Sequence, residues 1–245
     1  MAVTLEAKGI EAGYRGFSIT NVDFQLKSGD IFGLLGRSGS GKSTILNTII
    51  GNLEPKNGII AINGTTTSVG YSPQKNALYP YLTVRENLET FGEIYGVPRL
   101  ELEQRIKNLL DRLDLTLHDA KLVVQLSGGM EKRVDLAVTL VHDPGIVILD
   151  EPFNGLDISL QQFIWDLLKD LAKQGKIVII TSHLLDDIQK NCTTFGLVEN
   201  GRFYGDDELR AAVKQQRGSL QSFLEQLFKR DMTMERDAPR RNERR

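Results

Sequence analysis

An internal disulfide is out of reach for this chain of 245 residues, because Cys192 is its only cysteine. A lone thiol fits a reducing compartment. No run of side chains approaches the roughly 18 consecutive apolar residues that a membrane span requires, so any membrane-spanning part of its work falls to another polypeptide. The opening segment, Met1 to Ile10, lacks a basic stretch followed by an apolar one; with no leader legible there, the expectation is a soluble protein made in the cytosol. An excess of one charge is missing as well, since 30 Lys and Arg face 32 Asp and Glu, a formal net charge of -2. That balance provides no global field for nucleic acid, no nucleic-acid partner is expected, and any anion site must be local. What the chain does have is length and a 40% apolar fraction, enough to bury the core of one large α/β domain with a smaller lobe.

β-prone pieces come first, at Val3 to Ile10, Phe17 to Thr20 and Val22 to Leu26. The apolar run Ile31 to Leu35 leads straight into a glycine-rich turn, and Thr44 to Ile50 reads as a helix stopped near Gly51 and Pro55. Gly58 to Ile62 is a further strand, ended by the turn pair Asn63 and Gly64. From about Leu82 to Leu113 the spacing turns helical, with Leu88, Phe91 and Tyr95, then Leu102, Ile106, Leu109, Leu110 and Leu113, three or four apart. A second lobe begins there. A helix from Ser127 to Leu140, the apolar strand Ile146 to Leu149, a helix from Leu160 to Leu171, the strand Ile177 to Ile180, and strands near Phe195 to Val198 and Arg202 to Tyr204 restore the α/β alternation. Trp165 falls off the helical stripe and reads as a packing or partner contact. The tail from Lys229 to Arg245 holds seven basic and four acidic side chains and is expected to be disordered; attraction of its arginines to an anionic membrane is the alternative to plain solvation.

Gly36-Arg37-Ser38-Gly39-Ser40-Gly41-Lys42-Ser43-Thr44 fits G-x-x-x-x-G-K-S/T in its required context, after a strand and opening a helix. The glycines let backbone N–H groups turn toward phosphates, the helix N-terminus adds partial positive charge, and Lys42 reaches the β and γ phosphates. Ser43 offers its hydroxyl to Mg2+. The run Ile146 to Leu149 then delivers Asp150 and Glu151 to a strand's C-terminal end, where open α/β sheets bind ligands. Asp150 is placed to hold Mg2+, and Glu151 to polarise a water for in-line attack on the γ-phosphate. These residues describe a P-loop nucleotide hydrolase without naming its branch.

Leu126-Ser127-Gly128-Gly129-Met130, whose serine stands 23 positions before Asp150, resembles the LSGGQ signature of the ABC ATPase family. Ser127 suits a helix N-cap, and the two glycines permit close backbone approach to an anion. The resemblance runs from about Leu5 to Phe228. It implies a P-loop NTPase core of α/β class with an ABC-type antiparallel β-subdomain and a helical signature subdomain. In this sequence that is one domain over 1–228, with core and β-subdomain at about 1–74 and 142–228, the helical subdomain at about 75–141, and a tail over 229–245.

By the same resemblance, Tyr14 stacks on adenine and Gln74 contacts Mg2+ and the attacking water. Asp157 crosses to the other subunit and His183 contacts the γ-phosphate. Ser127, Gly128 and Gly129 cap ATP held by Gly36 to Thr44 of another subunit. One such set per chain implies a homodimer or a pairing with a similar ATPase. The wording Leu82-Thr83-Val84-Arg85-Glu86-Asn87-Leu88, Tyr95-Gly96-Val97-Pro98 and Met130-Glu131-Lys132-Arg133 resembles the ATP-binding subunits of drug-resistance exporters, where methionine in the signature is usual. The stripe Leu220, Phe223, Leu224, Leu227 and Phe228 resembles their final helix. That branch implies a Mg2+-dependent ATPase on the cytoplasmic face of the cell membrane, serving a separate multi-span permease. A soluble ABC ATPase acting on nucleic acid or ribosomes is the alternative, and an assembly protein that binds nucleotide without turnover is a third reading. Two departures stand out. Only Thr65 to Gly70 separate Gly64 from Tyr71, a shorter link than relatives carry, and Arg37 stands where they often have proline.

Overall fold

The computed structural model describes residues 2–216. Its strands are β1 (Thr4–Tyr14), β2 (Phe17–Lys27), β3 (Ile31–Leu35), β4 (Asn57–Asn63), β5 (Val69–Ser72), β6 (Ile146–Leu149), β7 (Ile177–Ser182), β8 (Thr194–Glu199) and β9 (Arg202–Tyr204). They form one sheet in the order β4-β1-β2-β9-β8-β3-β7-β6-β5. β4, β1 and β2 pair antiparallel, whereas β8, β3, β7, β6 and β5 pair parallel. Every residue of β3, β6 and β7 is buried, as expected of parallel strands covered on both faces.

The two expected pieces Phe17 to Thr20 and Val22 to Leu26 are a single strand. Asn21 between them takes a φ of 58°, and β1 opposite shifts register between Ala7 and Ala12. A polar break that reads locally as a turn is therefore absorbed as an irregularity within one antiparallel ladder.

The helices are α1 (Lys42–Ile49), α2 (Val84–Ile94), α3 (Arg99–Arg112), α4 (Gly128–Leu140), α5 (Ile158–Lys173), α6 (Leu185–Asn191) and α7 (Asp206–Gln216). The helical stretch expected from Leu82 to Leu113 is divided where Gly96 adopts a φ of 72°, just before Pro98. α2 opens on a capping box, in which the Thr83 hydroxyl accepts from the Glu86 N–H and the Glu86 carboxylate accepts from the Thr83 N–H. Strand alternation sends neighbouring side chains to opposite faces. Val147 and Leu149 join a core with Leu88, Ile106 and Val134 of the helical lobe, while Ile146 and Ile148 pack with Ile45 and Leu46 of α1.

Trp165 belongs to the first of these cores, stacked on Phe153 with ring centroids 4.7 Å apart. It lies within the buried face of α5 because that face is wider than the stripe of Leu and Ile alone suggests. No helix among the described residues is long and apolar enough to cross a membrane. The stripe Leu220 to Phe228 and the tail 229–245 lie outside the described residues.

Candidate nucleotide-binding site

The site forms where β3 ends. At Gly36 a Cβ would lie 2.5 Å from both the Ser40 hydroxyl and the Val198 carbonyl, and at Gly41, with φ of 117°, it would lie 2.5 Å from Ile19. Only glycine fits at these two positions, so the chain turns tightly from β3 into α1. No side chain caps α1, which leaves the start of the helix open to an anion.

Lys42 is folded back under this turn and buried. Its ammonium donates to the Gly36 carbonyl at 2.8 Å and the Arg37 carbonyl at 3.1 Å, and pairs with Glu151 Oε1 at 3.3 Å. The next hydroxyl, Ser43 Oγ, donates to Asp150 Oδ2 at 3.0 Å. Asp150 is thereby shared between two elements, since its Oδ1 accepts from Thr181 Oγ1 on β7 at 2.6 Å. The Thr181 oxygen in turn accepts from the Glu151 backbone N–H at 2.7 Å.

Glu151 sits in the left-handed region at φ 49°, a conformation that costs a non-glycine residue on the order of 1–3 kcal/mol. Its Oε2 accepts from Gln74 Nε2 at 3.2 Å and from Asn154 Nδ2 at 2.5 Å. Tyr71, beside this group, has its phenol pushed up to about 12 by burial and secondarily by the Asp150 charge. Lys42 and Ser43 of α1, Gln74 just after β5, and Asp150 and Glu151 just after β6 thus come together.

Lys42, Ser43, Gln74 and Glu151 line a cleft of about 220 Å³ together with Phe17, Ser38, Gly39, Gly41 and Thr44, and the buried Asp150 is joined to it through Ser43. A larger hollow of about 430 Å³ lies between Phe24, Arg202 and Asp206, but carries none of this chemistry. The Ser43 hydroxyl, which lines the cleft, and the Asp150 carboxylate bonded to it are hard oxygen donors. That donor set fits Mg2+, which takes one or two protein oxygens together with phosphates and waters.

The remaining expected residues stand apart. Tyr14 is 54% exposed, with its hydroxyl accepting from Asn47 Nδ2 of α1 at 3.5 Å; the aromatic lining the cleft is Phe17, which sequence reasoning placed only as a strand residue. His183 is exposed just beyond β7. Asp157 caps its own helix, accepting from the Leu160 N–H at 2.9 Å. Ser127 caps α4 by accepting from the Met130 N–H at 3.4 Å, and Ser127, Gly128 and Gly129 do not line the cleft. Arg37 is exposed and takes part through its carbonyl. Thr181 and Asn154 were not among the expected residues. Thr181 had one legible signal, a hydroxyl directly after the apolar run Ile177 to Ile180. Cys192 has its thiol pushed up to about 12 by burial and then by Asp187, which disfavours the thiolate.

A family model described as ABC transporter matches residues 19–154. Nod factor export ATP-binding protein I of Sinorhizobium fredii is 34% identical over 226 residues, covering 88% of this chain and 66% of that protein. Linearmycin resistance ATP-binding protein LnrL of Bacillus subtilis is 34% identical over 207 residues, covering 80% of this chain and 67% of that protein. The chain therefore spans about two thirds of the length of these relatives. A solved ATP binding subunit of an ABC transporter superposes with a TM-score of 0.80 at 28% identity, covering 91% of this chain and 99% of that one. Likeness in sequence and likeness in fold converge on the family to which the signature pentapeptide pointed, and the chain belongs to the ABC transporter ATP-binding family.

Proposed function

We propose that the chain is the Mg2+-dependent ATPase subunit that powers a membrane ABC transporter of the export type. The observation that carries this reading is the convergence of Lys42, Ser43, Gln74, Asp150 and Glu151 on one cleft. The export function printed for the Nod factor relative and the resistance function printed for the Bacillus relative support the direction.

In this reading the phosphate turn binds the ATP phosphates through its backbone N–H groups, and Lys42 neutralises the β and γ oxygens. Ser43 and Asp150, with Gln74, would hold Mg2+, which when bound offsets the charge on the phosphate oxygens. Glu151, oriented by Gln74 and Asn154, accepts a proton from the attacking water. Its present pairing with Lys42 has to loosen as the phosphates arrive, because both groups compete for the same ammonium. Tyr14, with its exposed ring beside α1, stacks on the adenine. His183 contacts the γ-phosphate and Asp157 meets the neighbouring subunit.

The exposed start of α4 supports completion of the site by Ser127, Gly128 and Gly129 of a second copy or of a similar ATPase. ATP then favours the closed pair over the open one, and hydrolysis resets it. The helical lobe, about residues 75–141, grips a cytoplasmic segment of a separate multi-span permease, for which the exposed Tyr79 and Tyr81 are suited. In this reading the chain works on the cytoplasmic face of the membrane.

The test is Glu151→Gln in the full chain. Retained ATP binding, an accumulated closed dimer and turnover reduced at least about 100-fold are expected; unchanged turnover sinks the assignment. A pull-down from membranes that recovers no multi-span protein counts against the permease.

A further inference from the structure

Three buried polar residues near the cleft have no part in the nucleotide chemistry above. Ser72, the last residue of β5, is 0% exposed, and Lys132 and Asp135 of α4 are 7% and 3% exposed. Lys132 Nζ donates to Ser72 Oγ and to Asp135 Oδ2, each at 2.9 Å. Ser72 Oγ donates to Asp135 Oδ2 at 2.5 Å. The hydroxyl thus uses its acceptor side on a cation and its donor on an anion, closing a triangle between a strand and a helix. Burying an ion pair is costly in free energy, and a pair three residues apart on a helix can equally well face water. Here it faces inward and ends on a strand hydroxyl.

The location gives the cluster its meaning. Among the described residues β5 is the edge strand of the sheet, paired with β6 alone. α4 lies directly on it, so close that a Cβ at Gly70 would be 2.3 Å from the Thr139 carbonyl. Two residues past Ser72 stands Gln74, which bonds Glu151. Five residues before Lys132 stands Ser127, which caps α4.

We propose that Ser72, Lys132 and Asp135 are positioning residues that latch the strand end carrying Gln74 to the helix beginning at Ser127. Movement of the signature helix is thereby passed to Gln74, and through it to Glu151. The latch rests on the reading of Gln74 as a residue of the hydrolytic site.

Ser72→Ala is the cleanest probe, because it cuts the strand from the helix while leaving Lys132 paired with Asp135. In the full chain with MgATP, kcat falls about 5- to 10-fold while KM stays within about 2-fold. Amide exchange over residues 74–82 speeds up, and exchange in β6 and β7 is unchanged. In a Gln74→Ala background, Ser72→Ala adds no further loss of kcat. The double variant Lys132→Met/Asp135→Leu, which leaves no unpaired charge, reproduces the kinetic phenotype of Ser72→Ala. Wild-type turnover and exchange in Ser72→Ala overturn the latch, and so do Ser72→Ala and Gln74→Ala effects that multiply, since a merely structural hydroxyl acts independently of Gln74. Unchanged turnover in Gln74→Ala alone overturns the reading of Gln74 instead, and the exchange measurement then decides the latch separately.

Discussion

Among the described non-glycine residues with positive φ, Glu151 is the one that is neither Asn nor Asp, the two types that tolerate this region best. Its strained backbone is held by the Thr181 hydroxyl, which also steadies Asp150. Thr181→Val therefore removes a partner from both carboxylate residues. It is expected to lower kcat about 10-fold and to cost about 1–3 kcal/mol in a urea melt, with Thr181→Ser restoring both. Lys42→Ala removes the ammonium that the proposed function assigns to the phosphates and is expected to weaken ATP binding about 10- to 100-fold in an equilibrium titration, the size of one lost charge-assisted bond. Lys42 and Glu151 were legible as members of the site because each belongs to a contiguous motif. Asn154 and Thr181 were not, because the groups they serve are reached through a turn and across a strand pair.

The connection from α4 to β6 passes through His142, whose ring stacks on Tyr95 of the helical lobe with centroids 3.7 Å apart and planes within 15°. Burial holds this imidazole below its ordinary range and the nearby Val69 backbone pushes against that, although neither ring nitrogen reaches hydrogen-bonding geometry. Arg105 and Lys176 push the same way as burial, and Asp143 pushes against it. With the native value depressed, the unfolded chain binds the proton first. The resulting stability is present above the unfolded value of about 6.5 and is lost as pH falls toward the lowered native one. On going from pH 7 to pH 5 the thermal midpoint is expected to drop less in His142→Phe than in the parent, as calorimetry at both pH values will measure. At the start of α2, Thr83→Ala removes half of the capping box and is expected to cost about 1 kcal/mol of stability, read from a urea melt. The helices themselves followed from apolar spacing. The division between α2 and α3 depended on Gly96 and Pro98, whose effect a continuous apolar stripe conceals.

At the scale of the molecule, the signature segment of one chain lies outside that chain's own cleft, so the proposed pairing makes a directional prediction. In a mixed dimer, Ser127→Arg in one subunit damages hydrolysis at the site holding the other subunit's Lys42, with that site marked by a second substitution. Damage confined to the mutated subunit's own site refutes the shared geometry. The sequence by itself determined the phosphate turn, the strand that ends in Asp150 and Glu151, the capped helix at Ser127 and the alternation of strand and helix. Each of these depends on residues within a few positions of one another, so backbone sterics and local periodicity decide them. Only the tertiary structure decided that β5 is an edge strand, that Thr181 reaches Asp150 across 31 positions, and that Lys132 reaches Ser72 across 60. Those contacts follow from strand order, register and the approach of α4 to the sheet, which the packing of the whole chain sets and no local pattern encodes.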